Sequence, residues 1–230
     1  MQAIKPIRPA IRREIEGPEA VRVLQALARE EETAVGLLIR EAEIPLDALP
    51  ALELRDCRLE GCRITGSAAG LAGRPSLVET VLDGCDLAGA DLSGAVLRRV
   101  ELRRCRAVGL LLARSLGYEV RLTECVCRYL NLSASEWKKA AFAGCDLSGA
   151  SIEEVKLPGA VLTGCNLTGA ELLRTPLGGI DLTSDQLDGI SLGGGELRGA
   201  VVTRYQASEL ARLLGVVIQD AAPEAGGSGG

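Results

Sequence analysis

The sequence lacks histidine and has very few aromatic side chains. Its 230 residues include one Trp, one Phe and three Tyr, and no His. Histidine is the commonest general acid–base residue and a frequent zinc ligand, so its absence excludes histidine-dependent triads and histidine-containing zinc sites. Large rings usually supply much of the buried area of a core. The interior must therefore be filled with Leu, Ile, Val, Ala and Cys.

Strong charge of one sign and long apolar segments are also missing. The chain has 26 basic and 31 acidic residues, a net charge of −5 that is too mild for wholesale binding to nucleic acid or an anionic membrane. No stretch approaches the roughly 18 apolar residues of a membrane span, and the first residues lack the apolar segment of a secretion signal. We therefore expect a cytoplasmic protein with reduced cysteines.

An apolar residue recurs at every fifth position through most of the chain. One series runs from Leu77 to Val202, interrupted only by Gly117, and another runs from Ile39 to Ile64. Strands alternate with period 2 and helices with period 3.6, so neither produces this spacing. Two residues before each apolar position is usually a small residue, often followed by Asp or Asn, as in CDLAG, ADLSG and CNLTG.

The cysteines show a second period, of 20 residues. Cys85 begins a series with this spacing that ends at Cys165, and Cys62 precedes it by 23 residues. We assign the three additional residues to the Gly- and Ala-rich segment 66–76, which is typical of a loop. The sequence therefore predicts one internal column of cysteines, namely Cys62, Cys85, Cys105, Cys125, Cys145 and Cys165.

The quintets resemble those of the pentapeptide-repeat family, whose consensus is A(D/N)LXX. The resemblance implies an all-β solenoid, a right-handed quadrilateral β-helix in which each quintet forms one side of a square coil. Four quintets then make a coil of 20 residues, which agrees with the cysteine spacing, and the two series contain enough quintets for about eight coils.

The remaining segments predict caps at both ends of the β-helix. We expect an N-terminal helical cap over 1–36 with a helix at 18–31, the β-helix over 37–204, and a flexible tail over 221–230. Residues 205–220 are predicted to form a helix at 206–214 followed by a strand, as a cap or a dimer element. The candidate dimer residues are Leu210, Leu213 and Leu214, and those of a functional loop are Gly66, Leu71 and Arg74.

Two features of the predicted interior have alternative interpretations. The cysteine column could form disulfides or, with Cys127, bind a soft metal. We favour the alternative that Cys is a small filler interchangeable with Ala, with no metal and no cofactor. Trp137 lies one coil from Gly117 in the frame, so we predict a buried indole for which the glycine leaves room. The alternative is an irregular coil around Gly117.

Since the interior is predicted to be full, function must lie on the outer surface. Five arginines form a predicted basic corner beside outward apolar residues, and three glutamates share one face. The simpler interpretation is that these residues form a solvated surface of mixed charge, and the alternative is that they bind a partner or form a dimer. The candidate residues are Arg98, Arg99, Arg103, Arg104, Arg106, Leu111, Leu116, Glu153, Glu154 and Glu171.

The family resemblance also carries functional expectations. Its best-known members bind DNA gyrase or topoisomerase IV, confer antibiotic resistance, form dimers through their C-terminal ends and mimic DNA. The resemblance implies a non-enzymatic protein that engages and protects a type II topoisomerase without contacting nucleic acid or membrane. Residues 50–203 hold 17 basic and 19 acidic residues, which is little net charge for a DNA mimic. The alternative is a scaffold for another protein partner.

Overall fold

Each quintet stacks in parallel register on the quintet about 20 residues away. The computed structural model describes residues 5–219. Leu97 pairs with Leu77 and Gly117, and Leu122 pairs with Leu102 and Phe142. Four quintets close one coil, so the chain forms a quadrilateral β-helix. The prediction of an all-β solenoid is confirmed.

The regular elements are short. In residues 5–219 the strands are β1 (Arg13–Glu16), β2 (Ala34–Val35), β3 (Leu37–Arg40), β4 (Glu43–Pro45), β5 (Glu53–Arg55), β6 (Arg58–Glu60), β7 (Arg63–Thr65), β8 (Ser76–Asp83), β9 (Val96–Arg103), β10 (Leu116–Tyr118), β11 (Arg121–Thr123), β12 (Glu136–Lys138), β13 (Ala141–Ala143) and β14 (Val161–Thr163). The α-helices are α1 (Gly17–Arg29) and α2 (Arg204–Leu213), and 3-10 turns lie at Leu46–Ala48, Ala68–Gly70 and Gly195–Leu197.

Four faces of the coil follow from this stacking. The central residues in one coil are Leu97 on face A, Leu102 on face B, Ala107 on face C and Leu112 on face D, and all four are buried. Faces A and B share a 12-stranded sheet because β8 and β9 each bend from one face onto the other. Faces C and D consist largely of single β-bridges beyond the short β4–β7 pair.

The quintet consensus has a physical explanation at each corner. The side chain of Asp or Asn at the second position accepts a hydrogen bond from the backbone N–H two residues later, as in Asp91 with Ser93 (2.9 Å) and Asn131 with Ser133 (2.9 Å). The fifth position then adopts positive φ, for example +60° at Gly144. This left-handed conformation favours glycine, which accounts for the high glycine content.

Trp137 and Phe142 pack in the interior as predicted. Trp137 is 1% exposed, and its ring stacks on Phe142 with centroids 6.0 Å apart. Its indole N–H donates to Ser115 Oγ at 2.9 Å. A Cβ on Gly117 would lie 2.7 Å from Trp137 Cγ, so only glycine leaves room for this ring. The alternative of an irregular coil is wrong, because β10 pairs in regular register on both sides.

The ends of the β-helix differ in part from the prediction. Helix α1 begins at Gly17 and ends at Arg29, but β1 precedes it and pairs with β3, so residues 13–16 belong to the β-helix rather than to a helical cap. Helix α2 begins at Arg204, where Thr203 and Gln206 form a capping box. The strand expected after α2 is absent through Gln219. Its last residue and the tail over 221–230 lie outside the described residues.

The N-terminal segment lies across the outside of face B. The Arg12 N–H donates to Gly36 O at 2.7 Å, and the Ile7 N–H donates to Glu101 Oε1 at 3.0 Å, three coils along the β-helix. Val81 and Glu101 point outward on face B but are 0% and 1% exposed, and the N-terminal segment contacts Glu101 through Ile7. Neither helix within residues 5–219 is long and apolar enough to cross a bilayer.

We predict that Gly117→Ala lowers the free energy of unfolding by about 1–3 kcal/mol, because the added methyl group overlaps the indole. Denaturant unfolding measures this change. The double variant Gly117→Ala with Trp137→Leu is the control, since leucine restores the usual residue of the frame and removes the overlap. An equal cost of Gly117→Ala in both backgrounds would contradict the explanation.

We also predict that Ala134→Gly raises the free energy of unfolding by about 1 kcal/mol. Ala134 is exposed at a corner with φ of +57°, where an L-residue is strained. Ala113 lies on the same face, outside the positive-φ positions, so Ala113→Gly should be destabilising instead. Denaturant midpoints of the two variants test the difference, and a loss of stability in both would refute it.

Candidate functional surface

The interior of the β-helix is closed and apolar. Its enclosed cavities measure about 30 and 20 Å³ and are lined by Leu, Ile, Val and Phe. This space holds at most a water molecule. Within residues 5–219, no group of three or more His, Cys, Asp or Glu side chains is placed to hold a metal ion. Any functional contact with these residues must therefore be made at the surface or at the ends.

All eight cysteines are buried free thiols. The six of the predicted column stack one coil apart, and their Sγ atoms lie near main-chain carbonyls, as Cys105 Sγ does near Leu82 O at 3.5 Å. Cys57 and Cys127 lie outside this column at other inward positions. Burial raises the pKa of the Cys57 thiol. These contacts are those of a small buried side chain with a weak donor.

An aspartate occupies the next position of the cysteine column. Asp185 lies 20 residues after Cys165 and is 6% exposed. Its Oδ1 accepts the Cys165 N–H at 2.7 Å, as Cys125 Sγ accepts the Cys105 N–H at 3.4 Å. Its Oδ2 has no partner within residues 5–219. Burial raises the pKa of Asp185, and the charge of Asp181 raises it further.

The five arginines of the predicted basic corner do not lie together. Arg98 and Arg99 are on face A, Arg103 and Arg104 on face B, and Arg106 on face C, because the chain turns at every fifth residue. Four of them form ion pairs: Arg99 with Glu79, Arg103 with Glu101, Arg104 with Asp83 and Arg106 with Asp86. The prediction of one basic corner is wrong.

Ion pairs between residues 20 apart run along the surface. Lys139 pairs with Glu119 at 3.4 Å, and Arg174 pairs with Glu154 at 2.8 Å. The hydrogen bond from Arg40 lowers the pKa of Glu60. Because the coil places residues i and i+20 side by side, opposite charges at this spacing neutralise each other locally. Each exposed pair adds little stability, but together they prevent a continuous acidic track.

Charge varies along the β-helix as well as between its faces. Residues 96–159 contain 11 basic and 7 acidic residues. Residues 50–95 contain 4 basic and 7 acidic, and residues 160–203 contain 2 basic and 5 acidic. The middle coils are therefore positively charged between two acidic ends.

Face A concentrates the positive charge and the exposed apolar surface of the middle coils. Leu116 is 44% exposed and Tyr118 is 38% exposed, and they pair in register with Val96 and Arg98 of the preceding coil. Lys139 Nζ lies 5.3 Å from the Tyr118 ring centroid and 3.3 Å from its hydroxyl, and this hydrogen bond raises the pKa of Lys139. We call the following residues the face A patch: Val96, Arg98, Leu116, Tyr118, Lys138 and Lys139.

The other apolar and acidic candidates lie elsewhere. Leu111 is half-buried on face D and does not join Leu116. Glu153, Glu154 and Glu171 share face D, as predicted, but the first two pair with Arg174 at 3.4 and 2.8 Å. The acidic candidates therefore present less free charge than their number indicates.

The loop at 66–76 is fixed to the β-helix. Gly66 has φ of +79°, and a Cβ there would lie 2.0 Å from Asp47 Oδ2, so only glycine fits. Leu71 packs against the core. Arg74 donates to Gly94 O at 2.7 Å and to Arg114 O at 3.1 Å. These contacts place the loop along face D, up to the corner where face D meets face A.

The candidate dimer residues divide between two roles. Leu210 is buried and closes the last coil, so it belongs to the cap. Leu213 and Leu214 are 47% and 45% exposed, and the exposed apolar surface continues through Val216 and Val217. This end of the molecule therefore carries a solvent-facing apolar segment.

Sequence reasoning missed several of these residues. Tyr118, Lys138 and Lys139 are the clearest cases, because they are far from Arg98 in sequence and adjacent to it only through the 20-residue register. Writing the sequence in rows of 20 aligns Arg98, Tyr118 and Lys138 in one column. The same arrangement places Asp185 at the end of the cysteine column. The contact between Ile7 and Glu101 has no periodic signal.

We predict that Asp185→Cys raises the free energy of unfolding at neutral pH by about 1–3 kcal/mol, since it removes a buried carboxylate oxygen without a partner. A raised native pKa means that the folded state holds its proton more tightly. The stability that this proton contributes is complete below the ordinary pKa of 3.8 and is lost as the pH rises through the native value.

The advantage of Asp185→Cys should therefore grow with pH and vanish at low pH. Asp181, Asp188 and Glu209 are the other carboxylates near this position, so the pH series is compared with that of Asp181→Asn. Thermal or denaturant unfolding measures the change. A difference from the wild type that does not depend on pH would contradict this account.

Known proteins share this repeat. A family model described as pentapeptide repeats matches residues 76–109 and 145–183, in eight copies. No curated protein matches the chain. A trypsin-treated form of QnrB1, a plasmid-mediated fluoroquinolone resistance protein, is 20% identical with a TM-score of 0.41, covering 80% of this chain and 90% of that one.

A second similar structure is that of HetL. It is a pentapeptide repeat protein involved in heterocyst differentiation regulation, from the cyanobacterium Nostoc sp. strain PCC 7120. It is 22% identical with a TM-score of 0.33, covering 72% of this chain and 89% of that one. The repeat match agrees with the quintets that stack in the structure. Residues 76–109 and 145–183 therefore carry pentapeptide repeats, and the chain folds as a right-handed quadrilateral β-helix.

Proposed function

We propose that this protein is a non-enzymatic binding protein that engages a protein partner through the face A patch. The observation that carries the proposal is the exposed Leu116–Tyr118 strand set among basic side chains. Between residues 96 and 159, face A carries five basic and two acidic residues. Tyrosine and arginine are enriched among residues that dominate binding energy at interfaces.

The charge of the face A patch indicates the chemistry of the partner. Arg98, Lys138 and Lys139 are exposed around the apolar strand. An acidic protein surface with apolar residues at its centre would pair with these cations and cover Leu116 and Tyr118. Complementary charge of this kind accelerates association and selects the partner. The enclosed cavities of the interior are too small to hold a substrate, which favours binding over catalysis.

A type II topoisomerase, such as DNA gyrase, is the partner that we propose from the family resemblance. Binding would then modulate the enzyme or protect it from antibiotic inhibitors in the cytoplasm. The local ion pairs favour a direct protein contact over DNA mimicry, because many carboxylates that would replace phosphates already face arginine or lysine. A homodimer through Leu213, Leu214 and Val217 would present two such rods.

Gyrase supercoiling with and without ciprofloxacin tests this proposal, with the protein added at micromolar concentration. We expect inhibition or protection by the wild type and at least about a tenfold loss for Leu116→Asp, which places a charge in the apolar centre. Val126→Asp is the matched control, because Val126 is 40% exposed on face C. Thermal unfolding confirms that both variants fold.

Three outcomes decide between the candidate functions. No effect of the wild type on gyrase removes the topoisomerase proposal and leaves the scaffold for another protein as the alternative. If Leu116→Asp and Val126→Asp reduce the effect equally, the face A patch is not the binding surface. Light scattering of the wild type and of Leu213→Asp tests the dimer, which a monomeric wild type would refute.

A further inference from the structure

A cleft separates the last coils from helix α2. Its volume is about 250 Å³, far more than the cavities of the interior. Asp185 and Leu187 line it from the β-helix, and Gln206, Glu209 and Leu210 line it from α2. The cleft exists because the chain leaves the repeat at Thr203, so no further coil covers the inward side chains of the last one.

Asp185 lines this cleft, and its unpartnered Oδ2 is buried behind the cleft surface. The column of Cys165 and Asp185 would continue at residue 205, but Tyr205 belongs to α2 and is 72% exposed. Gln206 Nε2 donates to the main-chain carbonyls of Leu182 and Asp185, both at 2.8 Å, and not to the carboxylate. Asp185 is more than nine-tenths buried, and its Oδ2 has no donor.

The charge around the cleft has one sign. Asp185, Asp188 and Glu209 line it together with Tyr205, and no basic residue among residues 5–219 does. Arg212 pairs with Glu209 from outside the lining, at 2.5 Å. A buried carboxylate oxygen without a donor costs free energy that a cationic N–H donor would recover. Tyrosine faces also attract organic cations.

We propose that this cleft binds an organic cation, an ammonium or guanidinium group, and that Asp185 turns Oδ2 toward the cleft to accept its N–H. A metal ion fits less well, since within residues 5–219 no three side chains of the metal-binding types are grouped for one. The cation is either a free amine or the side chain of a Lys or Arg from another protein chain. The site is separate from the face A patch: the cleft lies at the last coils, and the patch lies in the middle coils.

The Cys165 amide provides a direct readout, because its N–H is bonded to Asp185 Oδ1. We would titrate the full-length ¹⁵N-labelled protein with methylammonium and with methylguanidinium, against sodium chloride at equal ionic strength. We expect a saturable shift of the Cys165 amide with the organic cations only. Losing the charge-assisted hydrogen bond should weaken binding about tenfold or more in Asp185→Asn and Asp185→Cys.

Asp181→Asn is the matched control, since Asp181 lies on the same coil but is exposed and bonded to Thr183. It should bind as the wild type does. Asp185→Cys keeps the fold testable, because cysteine is the usual residue of this column, and thermal unfolding checks each variant. A linear response, a response equal to that of sodium chloride, or equal binding by the Asp185 variants would overturn the proposal.

A second titration distinguishes the sources of the cation. The probe is the peptide Gly-Gly-Arg-Gly-Gly, with Gly-Gly-Leu-Gly-Gly as its control. Tighter binding of the arginine peptide than of methylguanidinium supports a side chain from another protein chain. Equal or weaker binding supports a free amine or guanidine. Binding of the leucine peptide with the same affinity would overturn the cation site.

Discussion

Stacking of every quintet on the quintet one coil away is the constraint on which the rest of the structure depends. Each inward side chain contacts its equivalents in the coils above and below, so its size is limited by residues 20 positions away. The pair Gly117 and Trp137 shows this limit, since one large ring requires a neighbour without a Cβ. The cysteine column follows from the same limit, because the position admits only a small side chain.

The same stacking organises the outside of the molecule. Charges at i and i+20 become neighbours, and their pairing leaves a surface of low net charge with positive middle coils and acidic ends. In the middle coils, face A has more basic than acidic residues, and apolar side chains are exposed there. The middle coils therefore combine the two properties, charge complementarity and apolar area, that protein recognition uses.

Both ends of the β-helix depart from the repeat, and each departure leaves a distinct feature. At the N-terminus, residues 7–12 lie on the outside of face B. The buried Glu101 accepts hydrogen bonds there from the Ile7 N–H, Arg103 and Arg121. At the C-terminus, helix α2 covers the last coil incompletely and leaves the cleft at Asp185. Features without periodicity are thus concentrated where the repeat cannot continue.

From the sequence, the five-residue period and the family resemblance together predicted the coil, its four sides and the inward residues, and the 20-residue cysteine spacing agrees with them. The sequence also placed the loop at 66–76 and both cap helices to within a few residues. The ion pairing of four of the arginines, the contact of Lys139 with the Tyr118 ring, and the contact of Ile7 with Glu101 were decided only by the tertiary structure. The reason is physical: these outward side chains obey no packing constraint, so their neighbours depend on the turn at each corner and on register between coils.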